Sequence, residues 1–189
     1  MFTGIITHLG KLKSVSSQAS LINKNGSVFT FSAEPVFCKK ISNGTSIAIN
    51  GVCLTAFKKP IRNSFSVEVM PETQDKTMLK HMKVNDLVNL EFPVTPTSFL
   101  SGHIVQGHID GVSKLLEIES SGNSRILKLS SSLPFSKYIV EKGSIAVNGI
   151  SLTVIKTGKN HFTVGIIPYT WNNTMLHTLK PGDFVNIEV

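Results

Sequence analysis

Two short segments carry the side chains best suited to chemistry. Residues 46–55 recur as residues 144–153, and apart from two exchanges between Ile and Val only one position changes. At that position the first copy has the thiol of Cys53 and the second has the hydroxyl of Ser151. A thiol or a hydroxyl can act as a nucleophile when a neighbouring base activates it. Cys53 and Ser151 are therefore candidates for related but unequal chemical roles.

The same repeat also has a purely structural interpretation. Each copy contains Asn-Gly, at residues 50–51 and 148–149, which is typical of a hairpin turn, and the Leu-Thr pair that follows is typical of a strand. Cys38 lies outside the repeated motif and is predicted to be a small buried apolar residue. Because the chain has only two cysteines, we expect reduced thiols rather than a disulfide framework.

The start of each copy provides a second difference, because His108 occupies the position that Ile5 has in the first copy. An imidazole exchanges protons near neutral pH, so His108 could polarise the hydroxyl of Ser151 or Thr153. His103 precedes His108 at an odd spacing, which on a strand places the two rings on opposite faces. No Cys, Asp or Glu follows at a spacing typical of metal ligands, so the sequence predicts no metal site.

The repeat extends over most of the chain and predicts two domains of similar fold. The other matching segments are residues 4–12 with 107–115 and residues 71–91 with 168–188. A period of this length is that of a small domain with its own core rather than that of a solenoid unit. We therefore place the domains at residues 1–97 and 98–189, with an extended connector at residues 93–98 that contains two prolines.

The pattern within each copy is mainly that of strands. Alternating side chains rich in β-branched and aromatic types predict strands at residues 27–31, 64–69 and 162–166. Turn residues separate such segments at 25–26, 43–44, 122–123 and 181–182. Helical periodicity is confined to brief segments at 34–41, 73–81 and 135–140. The sequence therefore predicts an all-β fold with one small barrel in each half and short helical turns.

Composition narrows the classes of protein further. The chain is 41% hydrophobic and 16% charged, which allows a substantial core. No window approaches the roughly 18 apolar residues of a membrane span, and the N-terminus lacks the basic region of a signal peptide. We therefore expect a soluble cytoplasmic protein. The net charge of +7 leaves a basic nucleic-acid-binding barrel as a distant alternative, which the dispersed Lys and Arg and the scarce Tyr and Trp disfavour.

Four motifs taken together resemble the riboflavin synthase alpha chain family. They are residues 1–5, 50–55, 102–111 and 148–153, and the likeness covers essentially the whole chain. The resemblance implies two tandem six-stranded Greek-key β-barrels, each binding one lumazine, with no metal or organic cofactor. It implies that two molecules of 6,7-dimethyl-8-ribityllumazine exchange a four-carbon unit to give riboflavin and 5-amino-6-ribitylamino-uracil. Such a dismutation suits a duplicated protein, because holding two reactants together accelerates their reaction.

The resemblance also implies the residues of the site. For the first barrel it implies substrate contacts at Gly4, Ile5, Ile6, Cys53, Leu54, Thr55, Glu68, Val69, Met70, Pro71, Glu72 and Thr73. For the second barrel it implies Gly107, His108, Ile109, Lys142, Ser151, Leu152, Thr153, Ile167, Pro168, Tyr169, Thr170, Trp171 and Asn172. We assign proton transfer and hydroxyl or water addition to His108, Ser151 and Thr153. Cys53 is assigned as a polar partner or nucleophile, Phe2 as an apolar wall over the ring, and Ser46 as a nearby hydroxyl.

Two further expectations follow from the resemblance. The family forms homotrimers in which the first barrel of one subunit meets the second barrel of another, and its members continue into an acidic residue and a C-terminal helix. This sequence ends at Val189, so we expect a fold without that helix. The nearest alternative is a lumazine-binding fluorescent protein that holds lumazine or flavin without turnover. The presence of Cys53, His108, Ser151 and Thr153 favours the enzyme.

Overall fold

A computed structural model describes residues 1–16, 26–131 and 134–189. The first repeat contributes six strands: β1 (His8–Ser16), β2 (Ser27–Ala33), β3 (Ser46–Ile49), β4 (Val52–Thr55), β5 (Ser64–Val69) and β6 (Leu87–Glu91). The second contributes β7 (Gly111–Ser121), β8 (Ser124–Ser130), β9 (Ser144–Val147), β10 (Ile150–Thr157), β11 (His161–Ile166) and β12 (Phe184–Glu188). No helix in these ranges is long and apolar enough to cross a membrane.

The two sets of strands form equivalent antiparallel barrels. The first has the order β4-β3-β6-β1-β2-β5, and the second is closed in the order β10-β11-β8-β7-β12-β9, which is the same arrangement. In the first barrel a bridge between Ala56 and Val67 connects the two ends of the sheet. The prediction of an all-β protein with two six-stranded barrels is therefore confirmed, and all three predicted strands lie within observed strands.

Alternating side chains build a separate core in each barrel. In β2, Phe29 and Phe31 point inward, and the ring of Phe31 lies 5.8 Å from that of Phe65. The second core includes Leu129 and Phe162, and both are fully buried. Cys38 is buried in the first core, as predicted for a small apolar residue.

The predicted helical segments are shorter than expected or interrupted. Helix α1 spans only Pro35–Cys38, and residues 135–140 contain a single 3-10 turn at Ser136–Tyr138. The predicted helix at 73–81 is divided into α2 (Pro71–Lys76) and a 3-10 turn (Met78–His81). Between them Thr77 is extended, and its side chain donates to the carbonyl of Thr73 and accepts from the Leu79 N–H. Helix α3 (Pro168–Asn173) repeats α2 in the second barrel.

The turn predictions are confirmed within the described residues. Gly44, Gly122 and Gly182 all have positive φ in turns, which directly precede β3, β8 and β12. The predicted turn at 25–26 includes Asn25, which lies outside the described residues. The connector predicted to be extended instead contains a turn, in which the Ser98 N–H donates to the Thr95 carbonyl.

The repeated Asn-Gly forms both the hairpin turns and the interface between the barrels. Asn50 and Gly51 have φ of 46° and 82°, the left-handed pair that a two-residue hairpin turn requires, and the second copy repeats it. Gly51 and Gly149 approach so closely that a Cβ on Gly51 would lie 2.7 Å from the Gly149 nitrogen. Only glycine allows this contact between the barrels.

Four buried asparagines hydrogen-bond the barrels to each other. The side chains of Asn50 and Asn148 accept from the main-chain N–H of Asn89 and Asn186, respectively, within each barrel. The amides of Asn89 and Asn186 then donate across the interface to the carbonyls of Asn148 and Asn50. Buried polar groups need such partners, so this reciprocal network fixes how the barrels pack.

Replacing Asn186 with alanine should test the strength of this network. The substitution leaves the Met78 N–H and the Asn50 carbonyl without their buried partners, since Asn186 accepts from the former at 2.7 Å and donates to the latter at 2.8 Å. We expect the free energy of unfolding to fall by about 2–4 kcal/mol in urea denaturation. The exposed Asn43→Ala variant is the control, and an equal loss in both variants would contradict the role of the network.

Candidate active site

The reactive side chains lie on the outer face of paired strands. In β4 the side chain of Leu54 enters the barrel core, so Cys53 and Thr55 on either side point away from it. Across the hairpin, Ala48 pairs with Cys53 and Ser46 pairs with Thr55. The second barrel repeats this arrangement, with Ser151 opposite Ala146 and Thr153 opposite Ser144.

The segment that precedes each first strand crosses to the other barrel. The carbonyl of Gly4 accepts from the Ser151 N–H at 2.8 Å, and the carbonyl of Gly107 accepts from the Cys53 N–H at 2.9 Å. Both glycines have positive φ, which turns their carbonyls toward these partners. The segments bridge at Phe2 and Val105, whose main chains exchange two hydrogen bonds. Each reactive residue is therefore bordered by the other repeat.

Cys53 opens into a pocket of about 230 Å³. Its walls include Glu72 and Thr73 from α2 and His108 from the crossing segment. With Gly107 and Ile109, which also line it, the pocket brings together six of the predicted site residues. His108 is exposed there, beside Cys53 rather than Ser151, because its segment crosses to the first barrel. The predicted partnership of His108 with Ser151 and Thr153 is thus not found within one chain.

Ser151 has a different histidine as its partner. The Nδ1 atom of His103 lies 2.7 Å from the Ser151 hydroxyl oxygen. Burial lowers the pKa of His103, which favours the neutral imidazole. Gly102 makes this possible, because a Cβ there would lie 2.1 Å from the Thr3 carbonyl and 2.9 Å from the Ser151 Cβ. The two sites therefore differ in their surroundings as well as in their reactive atom.

His103 is the residue that sequence reasoning missed. In the sequence His103 stands out only by its spacing from His108, which does not favour a metal pair, whereas the structure places its ring on Ser151. Across the described ranges, no group of three or more His, Cys, Asp or Glu side chains has a geometry that could hold a metal ion. Gly102 next to His103 indicates that the main chain approaches another segment closely, but the sequence does not identify Ser151 as the partner.

Phe2 has a position that differs from the predicted wall over a ligand. Its side chain is fully buried between the barrels, in a cluster with Ala48, Val105 and Ala146. Cys53 packs against this cluster. The bridge to Val105 carries Phe2 inward, so in this chain its ring supports the strands beneath Cys53 instead of facing an open pocket.

Three other predicted contact residues direct their side chains into the barrel cores. They are Leu54, Val69 and Leu152, each buried because strand alternation turns it inward. Ile6 packs against the second core and Ile109 against the first, as expected for crossing segments. These residues shape the site through their main chain and packing.

The remaining predicted residues lie at the surface or at its edge. Ser46 and Glu68 are half-buried, while Ile5, Thr55 and Thr153 are exposed. In the second barrel Lys142 is exposed in a turn with φ of 64°, where its N–H donates to the Val154 carbonyl. The rest belong to α2 and α3 or directly precede them: Met70, Pro71, Ile167, Pro168, Tyr169 and Asn172 are exposed, and Thr170 and Trp171 are half-buried.

Comparisons with known proteins show the family to which the chain belongs. The lumazine binding domain family matches residues 3–93 and again 106–189. Riboflavin synthase of Actinobacillus pleuropneumoniae is 41% identical over 188 residues, which cover 100% of this chain and 84% of that protein. Riboflavin synthase of Bacillus subtilis is 36% identical over 194 residues, with the same coverage of both chains.

Solved structures share the fold. LumP complexed with riboflavin superposes with a TM-score of 0.89 at 21% identity, covering 100% of this chain and 99% of that one. LumP complexed with 6,7-dimethyl-8-(1'-D-ribityl)lumazine gives a TM-score of 0.87 at 20% identity, with the same coverage. The similarity to the synthases is much higher in sequence and extends over the whole chain. This chain belongs to the riboflavin synthase family of lumazine-binding-domain proteins.

Proposed function

We propose that this chain is an enzyme that converts two molecules of 6,7-dimethyl-8-ribityllumazine into riboflavin and 5-amino-6-ribitylamino-uracil. The observation that carries the proposal is the duplicated site, which has Cys53 in one copy and a Ser151–His103 pair in the other. Two copies of one substrate need two similar sites, but one molecule must donate carbon and the other accept it. Unequal neighbours at equivalent positions supply that difference.

The geometry supports a division of roles between the two sites. With the imidazole proton on Nε2, His103 Nδ1 accepts the hydrogen bond of the Ser151 hydroxyl. This contact increases the basicity of the Ser151 oxygen. Ser151 and Thr153 then serve proton transfer and the addition of hydroxyl or water to one ring. Cys53, with His108 and Thr73 in its pocket, contacts the other ring as a polar partner or nucleophile. Ser46 and Lys142 act at the edges of these sites.

Binding across subunits is part of the proposal. The Cys53 pocket of about 230 Å³ is smaller than the roughly 300–1,000 Å³ of ordinary ligand pockets, so a second surface is needed to enclose the substrate. We infer a cytoplasmic homotrimer in which the first barrel of one subunit faces the second barrel of another. Residues 1–97 and 98–189 are the proposed lumazine-binding domains. Sedimentation of the protein with and without substrate tests the trimer.

Incubation of the protein with 6,7-dimethyl-8-ribityllumazine as the sole organic substrate tests the activity. We expect riboflavin and 5-amino-6-ribitylamino-uracil to appear in equal amounts, because every donor that loses the four-carbon unit has one acceptor. Absorbance follows riboflavin, and chromatography measures the second product. Stoichiometric binding without new riboflavin would instead identify a lumazine-binding protein without turnover, which is the second candidate that the shared fold with LumP favours.

The pH profile should reveal the protonation state of His103. Burial lowers its pKa below the usual 6.5, and a protonated ring has no acceptor at Nδ1 for the Ser151 hydroxyl. We expect kcat to be constant around neutral pH and to fall as the pH decreases through this lowered pKa. Because the folded pKa of this base lies below its unfolded value, its contribution to stability falls as the pH decreases from about 6.5 to the lowered folded pKa.

Steady-state rates between about pH 5 and pH 8 measure this profile. The Ser151→Ala variant is the matched comparison, because its residual rate should lack the same acid limb. An acid limb in the wild-type protein with an apparent pKa above 6.5 would contradict the assignment.

A further inference from the structure

The last strand of each barrel ends in a buried glutamate. Glu91 in β6 is 4% exposed and Glu188 in β12 is 8% exposed. Neither forms an ion pair with any residue in the described part of the chain. Burial raises the pKa of Glu91, and hydrogen bonds from Thr3 and Gly4 oppose that effect. A buried carboxylate is costly without compensating partners, so the groups that these glutamates bind must offset that cost.

Both carboxylates bind the segments that cross between the barrels. One oxygen of Glu91 accepts from the Thr3 N–H at 2.7 Å and from the Thr3 hydroxyl at 2.8 Å, and the other accepts from the Gly4 N–H at 3.2 Å. Glu188 accepts from the N–H groups of Gln106 and Gly107 with its two oxygens. Hydrogen bonds to a charged acceptor are among the stronger ones in proteins.

Each crossing segment then contacts the reactive residue of the opposite barrel. The same Gly4 whose N–H binds Glu91 accepts from the Ser151 N–H through its carbonyl. Gly107 connects Glu188 to the Cys53 N–H in the same way. These contacts are tightly packed. A Cβ on Gly4 would lie 2.7 Å from the Ser151 Cβ, and one on Gly107 would lie 2.6 Å from the Cys53 Cβ. A shift of either segment therefore moves a reactive residue.

We propose that Glu91 and Glu188 are positioning residues with crossed action. Glu91, in the first barrel, holds Thr3 and Gly4 against Ser151 in the second barrel. Glu188, in the second barrel, holds Gln106 and Gly107 against Cys53 in the first. The consequence for turnover rests on the proposed function, whereas the control of local geometry does not.

Alkylation of Cys53 measures one half of this crossed action without any turnover. Iodoacetamide should label Cys53 faster in the Glu188→Gln variant, since the amide places a donor against an N–H group and releases the segment that covers the thiol. We expect an increase of at least about threefold, and the wild-type rate in Glu91→Gln. Peptide mass mapping separates Cys53 from the buried Cys38. The exposed Glu119→Gln variant is the control for a change of charge.

A second reporter measures the other half. In a protein that carries both Cys53→Ser and Ser151→Cys, the thiol at position 151 should be labelled faster after Glu91→Gln and at an unchanged rate after Glu188→Gln. Thr3→Val removes one of the three hydrogen bonds to Glu91 and should give a smaller increase. Glu188→Asp, which keeps the charge, should likewise have a smaller effect on Cys53 than Glu188→Gln. These milder variants keep the test available if a glutamine variant does not fold.

The proposal is supported only if Glu188→Gln accelerates labelling of Cys53 alone and Glu91→Gln accelerates labelling of the thiol at position 151 alone. Equal acceleration of both thiols by either variant would show general loosening and overturn it, as would no change in either thiol. In the turnover assay, Glu91→Gln and Glu188→Gln should lower kcat by about ten- to hundredfold with a smaller change in KM, because small displacements of reacting groups are costly. A crossed labelling pattern without riboflavin formation by the wild-type protein would retain the positioning roles and reject the proposed function.

Discussion

Replacing His103 with alanine should lower kcat for riboflavin formation by about 10²–10⁴-fold. The substitution removes the ring nitrogen that lies 2.7 Å from the Ser151 hydroxyl, and general acid–base groups contribute rate factors of that size. KM should change less, because the contact polarises a reacting group and does not enclose the substrate. Steady-state kinetics with 6,7-dimethyl-8-ribityllumazine measure both constants.

Two further variants make this prediction specific. His177→Ala removes an exposed histidine that lines another cleft, and it should retain the wild-type rate. The double variant with His103→Ala and Ser151→Ala should be no slower than the slower single variant, because residues that act as one unit show non-additive effects. Fully multiplicative losses would mean that His103 and Ser151 act independently and would contradict the proposed pair.

Replacing Gly51 with alanine should destabilise the protein by about 2–5 kcal/mol. A left-handed backbone costs an alanine about 1–2 kcal/mol, and the added methyl group also collides with the main chain of the other barrel. It would lie 2.7 Å from the Gly149 nitrogen and 3.0 Å from its Cα atom. Urea denaturation gives the change in the free energy of unfolding.

Gly44→Ala separates backbone strain from collision. Gly44 has φ of 84°, close to the 82° of Gly51, but a Cβ there would have no neighbour within 4 Å. Its substitution should cost only the conformational part, about 1–2 kcal/mol. Equal losses in the two variants would show that the contact between Gly51 and Gly149 contributes nothing to stability.

Local patterns predicted the fold well because the sequence repeats and because apolar and polar side chains alternate along its strands. The hairpin at Asn50 and Gly51 could be predicted from two residues, since its conformation depends on local φ angles. The interruption at Thr77 could not, because a helical apolar pattern continues across it. Thr77 is extended, and the N–H of the following residue, Met78, binds Asn186 of the other barrel.

The residue types of the site could be predicted from the sequence, but which of these residues contact each other could not. Repetition pointed to Cys53 and Ser151 because a comparison of two copies reveals the position that differs. The choice of His103 over His108 as the partner of Ser151 depends on the crossing segments, which no local pattern encodes. The family resemblance implies that Phe2 is a wall over the ligand, whereas in this chain its side chain is fully buried between the barrels.

The reciprocal contacts between the barrels constrain the order of events during synthesis. The N–H of Met78 and the carbonyl of Asn50 both have their partner in Asn186, in β12 of the second barrel. The carbonyl of Gly4 likewise has no hydrogen-bond partner until Ser151 has been synthesised, because it accepts from the Ser151 N–H. On the ribosome the first barrel can therefore form its strands early but completes its buried hydrogen bonds only after β12 has emerged. Until then its interface side remains open, which makes the nascent first half the stage most exposed to misassembly.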